Sequence, residues 1–113
     1  MFAIAKTTEK IESRCLSVEK AFSLIDHSTK TTFALQAGEN AVGRSEFCPV
    51  RFNNSFISRV HAVLSVLDTK VIVRDCNSTH GTYLNGNRLI GAHVLRDGDR
   101  IRFAHIELSL TTK

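Results

Sequence analysis

The sequence predicts an all-β domain, a sandwich of two antiparallel sheets, and three observations carry that expectation. Hydrophobic residues alternate with a period of two wherever a period is visible, no segment has convincing helical spacing, and turn-forming clusters punctuate a chain with a single proline. A length of 113 residues suits one such domain, and 42% hydrophobic with 23% charged residues is ordinary globular usage. The sequence has neither the long apolar run of a membrane span nor the charge blocks of a disordered tail.

Taken in order, residues 1–20 are expected to be an N-terminal segment, an arm or part of the first strand, with the folded domain over residues 21–113. A strand over Ala21 to Asp26 closes at Asp26-His27-Ser28-Thr29, and a second over Thr32 to Ala37 ends at Gly38-Glu39-Asn40. Alternation is clearest in Val60, Ala62, Leu64 and Val66, and the other face of this segment, His61, Val63, Ser65 and Leu67, is half apolar. That pattern suits a central strand covered in part on both sides. Val71 and Val73 repeat it one segment later, and Thr82 to Leu84 forms a further short strand.

Asn85-Gly86 favours the positive φ angles of a tight hairpin, and Asp97-Gly98 makes another bend. In the last run, Arg100 to Leu110, Ile101 and Phe103 share one phase while Ile106, Leu108 and Leu110 share the opposite one. An inserted residue around Ala104 and His105, a β-bulge, would reconcile the two phases.

Fifteen Lys and Arg against eleven Asp and Glu give a net charge of +4, a mild lean toward anionic partners. The basic residues are spread along the chain and aromatics are only 7%, so a solvated basic surface is favoured over direct nucleic-acid binding. Cys15, Cys48 and Cys76 are odd in number and share no C-x-x-C spacing. Neither a disulfide framework nor a zinc site is written in them, and a reducing interior follows. The triplets Asn53-Asn54-Ser55 and Asn77-Ser78-Thr79 are chance matches to a glycosylation motif, and MFAIAK is too short an apolar run for a signal peptide.

No GxSxG, P-loop, HExxH or dinucleotide fingerprint occurs, so no catalysis, metal or cofactor is expected. Ser58, His61 and Asp75 can be assembled on paper as nucleophile, base and orienting acid, but residues this common coincide by chance. Polar residues gather instead at three strand ends: Gly43-Arg44-Ser45, Ser58-Arg59-Val60-His61, and Asn77-Ser78-Thr79-His80-Gly81-Thr82 running into Asn85-Gly86. Two arginines, several hydroxyls and a glycine turn are what a cluster of anionic oxygens needs. They are equally what surface charges and turn-capping hydroxyls would look like, and composition does not choose.

In these residues the chain resembles forkhead-associated (FHA) domains. VGRSEFCPVRFNN, ISRVHAVL, VIVRDCNSTHGTYLNG and LRDGDRIRF stand in that family's order and spacing, from about Phe22 to Leu110. The resemblance implies an SMAD/FHA-like sandwich of about eleven strands that binds phosphothreonine peptides through loops at one end. By position, Arg44 resembles the arginine that reaches the phosphopeptide and Ser58 the hydroxyl that bonds a phosphate oxygen. Arg59 holds the next loop position, where a side chain adds to phosphate or peptide binding, and Thr79 would lie beside the phosphothreonine. Gly43, His61, Gly81, Thr82 and Asn85 match positions whose work is structural support of the site, with His61 bracing the loop that bears Ser58.

His80 stands where the family usually has asparagine, whose amide offers donor and acceptor together to the ligand backbone. Neutral imidazole separates the two on opposite ring edges, and its protonated form has donors only. His80 is therefore expected to contact the peptide and to strengthen binding at mildly acid pH.

The resemblance further implies a non-enzymatic module in kinase signalling of the DNA-damage or cell-cycle response. Its partners would be threonine-phosphorylated proteins in the nucleus. With Met1 present, the module is expected to open a longer protein. The alternative is a docking or self-association domain that has lost phosphate dependence. A homodimer in which phosphorylated Thr7 or Thr8 enters the pocket of a second copy is a related expectation.

Overall fold

The computed structural model describes residues 21–112, so the segment holding Thr7, Thr8 and Cys15 lies outside the described residues. Eleven strands occur among the described residues: β1 (Phe22–Asp26), β2 (Thr31–Ala34), β3 (Gly38–Gly43), β4 (Val50–Arg51), β5 (Ala62–Leu67), β6 (Lys70–Asp75), β7 (Thr82–Leu84), β8 (Asn87–Arg88), β9 (Ala92–Leu95), β10 (Arg100–Phe103) and β11 (Ile106–Thr112). They form a six-stranded sheet, β2-β1-β11-β10-β7-β8, and a five-stranded sheet, β4-β3-β5-β6-β9.

Period-two alternation builds the core between them. Phe22, Leu24, Ile101, Phe103, Leu108 and Leu110 from one sheet meet Val42, Ala62, Leu64, Val71, Val73 and Leu95 from the other, all buried. Each of these side chains other than Ala62 contributes roughly 1.5 to 3 kcal/mol of burial energy. The strand expected to be central is central: β5 lies between β3 and β6, with Ala62 and Leu64 buried and Val63 and Ser65 half-buried.

Four expectations are corrected. Val60 lies in the loop before β5 and is exposed, the strand starting two residues later. Gly38-Glu39-Asn40 opens β3 rather than ending a hairpin, because the Asn40 amide is buried and bridges Gln36, Gly38 and Leu64 from within the strand.

The third concerns Ala104 and His105, which form a two-residue hairpin turn, not a bulge. Phe103 pairs directly with Ile106, and Ala104 takes a φ of 55°. Cross-strand partners share a face, so a tight hairpin inverts the sequence phase just as an inserted residue would. Last, one pair is parallel: β4 joins β3 with Val42 opposite Val50 and Gly43 opposite Arg51.

Elsewhere the turn chemistry acts as read. Asn85 and Gly86 take φ of 49° and 88° between β7 and β8, and the Asp26 carboxylate accepts from the backbone and hydroxyl of Ser28 at the end of β1. Phe22 pairs with Thr112, so the two ends of the described chain are neighbours. The seven residues of β11 carry Thr112 about 20 Å from the β10–β11 turn.

Candidate functional site

Four connections meet at one end of the two sheets: those following β3, β4, β6 and β10. Their arrangement begins at Gly43. A Cβ there would stand 2.1 Å from the Arg59 carbonyl oxygen, so only glycine lets the two backbones approach. The approach extends β3 beyond its end, since Arg44 N–H donates to the Ser58 carbonyl at 3.0 Å and Ser45 N–H to that of Arg59 at 3.1 Å. Arg44 is thereby seated beside the loop bearing Ser58. Its side-chain Nε donates to the Ile57 carbonyl at 3.1 Å, while its own carbonyl accepts from Arg51 Nε at 2.9 Å.

His61 fixes the second loop to the third. Its fully buried ring accepts the Ser58 N–H at Nδ1 over 3.1 Å, which leaves the proton on Nε2, 2.8 Å from the Gly81 carbonyl. The Ser58 hydroxyl oxygen accepts the Thr79 N–H at 3.1 Å, leaving its own proton free to turn outward. One ring and one hydroxyl thus staple two loops 20 or more residues apart in sequence.

The third loop is held from within by Asp75. Its carboxylate accepts from Ser78 N at 2.9 Å, Ser78 Oγ at 2.6 Å and Thr82 Oγ1 at 2.6 Å, and Ser78 Oγ in turn accepts the Gly81 N–H at 2.9 Å. Burial pushes the Asp75 carboxyl up, but the hydrogen bonds from Ser78 and Thr82 together outweigh it and hold it below the ordinary value. With Ser78 and Thr82 turned inward, Thr79 and His80 face solvent.

Arg44, Ser58, Thr79 and His80 line a single depression of about 120 Å³, with Ser55, Phe56 and Ile57 completing its wall. Arg59 does not line it. Its side chain is exposed nearby, and its carbonyl serves the loop by accepting from Ser45 N–H and, at 3.4 Å, from the Cys48 thiol. Asn85 sits away from the depression, pinning β7 to β10 through Arg100 N–H at 2.9 Å and the Asp99 carboxylate at 3.2 Å. The paper triad does not align: both His61 nitrogens are spent on the Ser58 and Gly81 backbones, and Asp75 serves Ser78 and Thr82.

Sequence reasoning passed over the neighbouring groove. Phe56, His80, Arg102, Ala104 and His105 enclose about 500 Å³ beside the depression, and Phe56 and His80 belong to both. The half-exposed Phe56 ring meets His80 and His105 edge-on, at centroid distances of 5.3 and 5.5 Å. An aromatic residue in the polar run Asn53-Asn54-Ser55-Phe56 was the available signal.

Comparison with known proteins agrees with this architecture. The family model of the FHA domain matches residues 40–104, more than half of the chain. FHA domain-containing protein FhaA of Mycobacterium tuberculosis is 32% identical over 84 residues, covering 74% of this chain and 16% of that protein. Mediator of DNA damage checkpoint protein 1 of Rattus norvegicus is 37% identical over 84 residues, covering 69% of this chain and 7% of that protein. The chain therefore spans a small part of the length of the relatives it matches. A solved structure from a study of phosphothreonine-dependent FHA domain interactions superposes with a TM-score of 0.76 at 29% identity, covering 80% of this chain and 95% of the other. By the family match, which takes in all the connections that build the depression, this chain belongs to the FHA domain family.

Proposed function

We propose that the chain is a phosphothreonine-dependent peptide-binding module that joins proteins in kinase signalling and performs no chemistry itself. The observation that carries this reading is the convergence of Arg44, Ser58 and Thr79 on one rim depression. A phosphate there carries about −1.5 to −2 charges and accepts hydrogen bonds on three oxygens. Arg44 supplies a forked cation, Ser58 its free hydroxyl proton, and Thr79 a hydroxyl at the edge. Arg59 adds positive charge from the periphery, and His80 meets the peptide backbone where the family usually has an asparagine.

The half-exposed Phe56 gives the depression an apolar edge suited to the threonine methyl. This supports a preference for phosphothreonine over phosphoserine. Charge-assisted hydrogen bonds of roughly 1.5 to 3 kcal/mol each, less ordering costs, place affinity in the micromolar range. The partners are threonine-phosphorylated proteins, and similarity to the rat checkpoint mediator supports a nuclear, DNA-damage setting.

Calorimetry with matched phosphothreonine, phosphoserine and unmodified peptides tests the reading. Binding should fall in that order, and equal affinity for modified and unmodified peptides would overturn it. Immunofluorescence of the tagged protein after irradiation tests the setting, where exclusion from the nucleus would refute it.

A further inference from the structure

We propose that the groove beside the phosphate depression reads an acidic side chain of the same peptide, glutamate before all, and that Arg102 is the residue that selects it. The proposal rests on the phosphopeptide reading above. The groove shares Phe56 and His80 with the depression, so a peptide seated in one crosses the Phe56 ring to reach the other. Phe56 is the partition that sets the spacing between the two contacts.

The lining dictates what can enter. Phe56 and Ala104 are apolar, Arg102 is cationic, His80 and His105 bring ring nitrogens, and none of the five lining residues is acidic. Such a groove fits an occupant with an aliphatic stem and a carboxylate at its tip. Glutamate has that shape; leucine would leave the cation without a partner and lysine would be repelled.

Arg102 is already set for the task. Its guanidinium carbon lies 3.9 Å from the centroid of the Tyr83 ring, and Nη1 donates to the Ala104 carbonyl at 2.6 Å. Stacking and this hydrogen bond fix the plane of the fork and leave Nε and Nη2 to meet a carboxylate. The carboxylate next to it in the sheet is drawn elsewhere: Glu107 is the cross-strand partner of Arg102, but its Oε2 lies 3.8 Å from Arg100 Nε. On the other side of Tyr83, Arg88 is the cross-strand partner, which extends the positive character of this face.

Matched phosphothreonine peptides carrying glutamate, glutamine, leucine or lysine at each flanking position in turn, measured by calorimetry, test the proposal. At one position glutamate should bind about fivefold tighter than glutamine, the size expected of one partly exposed charge pair. Arg102→Gln should bring the two within about twofold of each other, whatever it does to the affinity for both. On the unaltered chain the glutamate advantage should shrink between about 0.05 and 0.5 M salt, a second measurement that needs no variant.

A glutamate preference that survives in Arg102→Gln, one insensitive to salt, or a preference for leucine overturns the assignment. Phosphopeptides bound equally well whatever the flanking residue overturn it while leaving the phosphothreonine reading intact. Failure to bind any phosphopeptide overturns both.

Discussion

The ring of His61 reaches the Gly81 carbonyl across 2.8 Å, tying the loop before β5 to the loop before β7 from inside the protein. Its other nitrogen holds the Ser58 backbone, so the rim hydroxyl of Ser58 is positioned by a residue wholly buried beneath it. His61→Ala should cost about 2 to 4 kcal/mol, from the cavity and two orphaned backbone groups. Denaturant unfolding measures that loss, and phosphopeptide affinity should fall with it although the altered residue is buried.

Arg44→Ala and Ser58→Ala should each weaken phosphothreonine binding about tenfold or more without unfolding the domain. Arg44 is exposed and Ser58 half-buried, so neither truncation opens the core. Calorimetry alongside thermal unfolding checks both halves of this expectation, and unaltered affinity in the two variants would remove the proposed site.

Gly43→Ala should be severe for a different reason. The new methyl would overlap the Arg59 carbonyl oxygen at 2.1 Å, against backbone rather than a side chain that could swing aside. Forcing the strands apart breaks the Arg44–Ser58 and Ser45–Arg59 hydrogen bonds, and a loss of about 3 kcal/mol is expected. A variant as stable as the parent would show that the loop relaxes freely.

Acid should loosen the third loop through Asp75. Its carboxyl is held below the ordinary value in the folded state, so the stabilisation is complete above the ordinary carboxylate range and disappears as pH falls through the folded value. Asp26, held low first by the Ser28 hydroxyl, gives the parent and an Asp75→Asn variant a shared acid slope. The difference between their urea midpoints from about pH 6 to pH 2 isolates the Asp75 part, which should shrink toward zero at the acid end.

Local pattern made much of this structure legible before any coordinates. Alternation located β5 and β6 and the buried faces of β10 and β11, and Asn85-Gly86 marked its hairpin, because these signals depend on residues adjacent in sequence. The Ala104-His105 turn escaped because alanine seldom takes positive φ and nothing in its side chain announces the bend. Of the site, the residues with distinctive chemistry, Arg44, Ser58, Thr79 and His80, could be named in advance. Phe56, Arg102 and His105 could not, since their meeting depends on which loops the sheet order brings together, and a phenylalanine in a loop has no motif.

The pairing of Phe22 with Thr112 has a mechanical consequence. Both positions lie at the pole of the sandwich opposite the rim depression, at the far end of β11 from the β10–β11 turn. Tension applied through both would peel β1 from β11 one hydrogen-bonded rung at a time, rather than shear the whole ladder together. A load on those points is met first at the β1–β11 seam, inside the six-stranded sheet and flanked by β2 and β10.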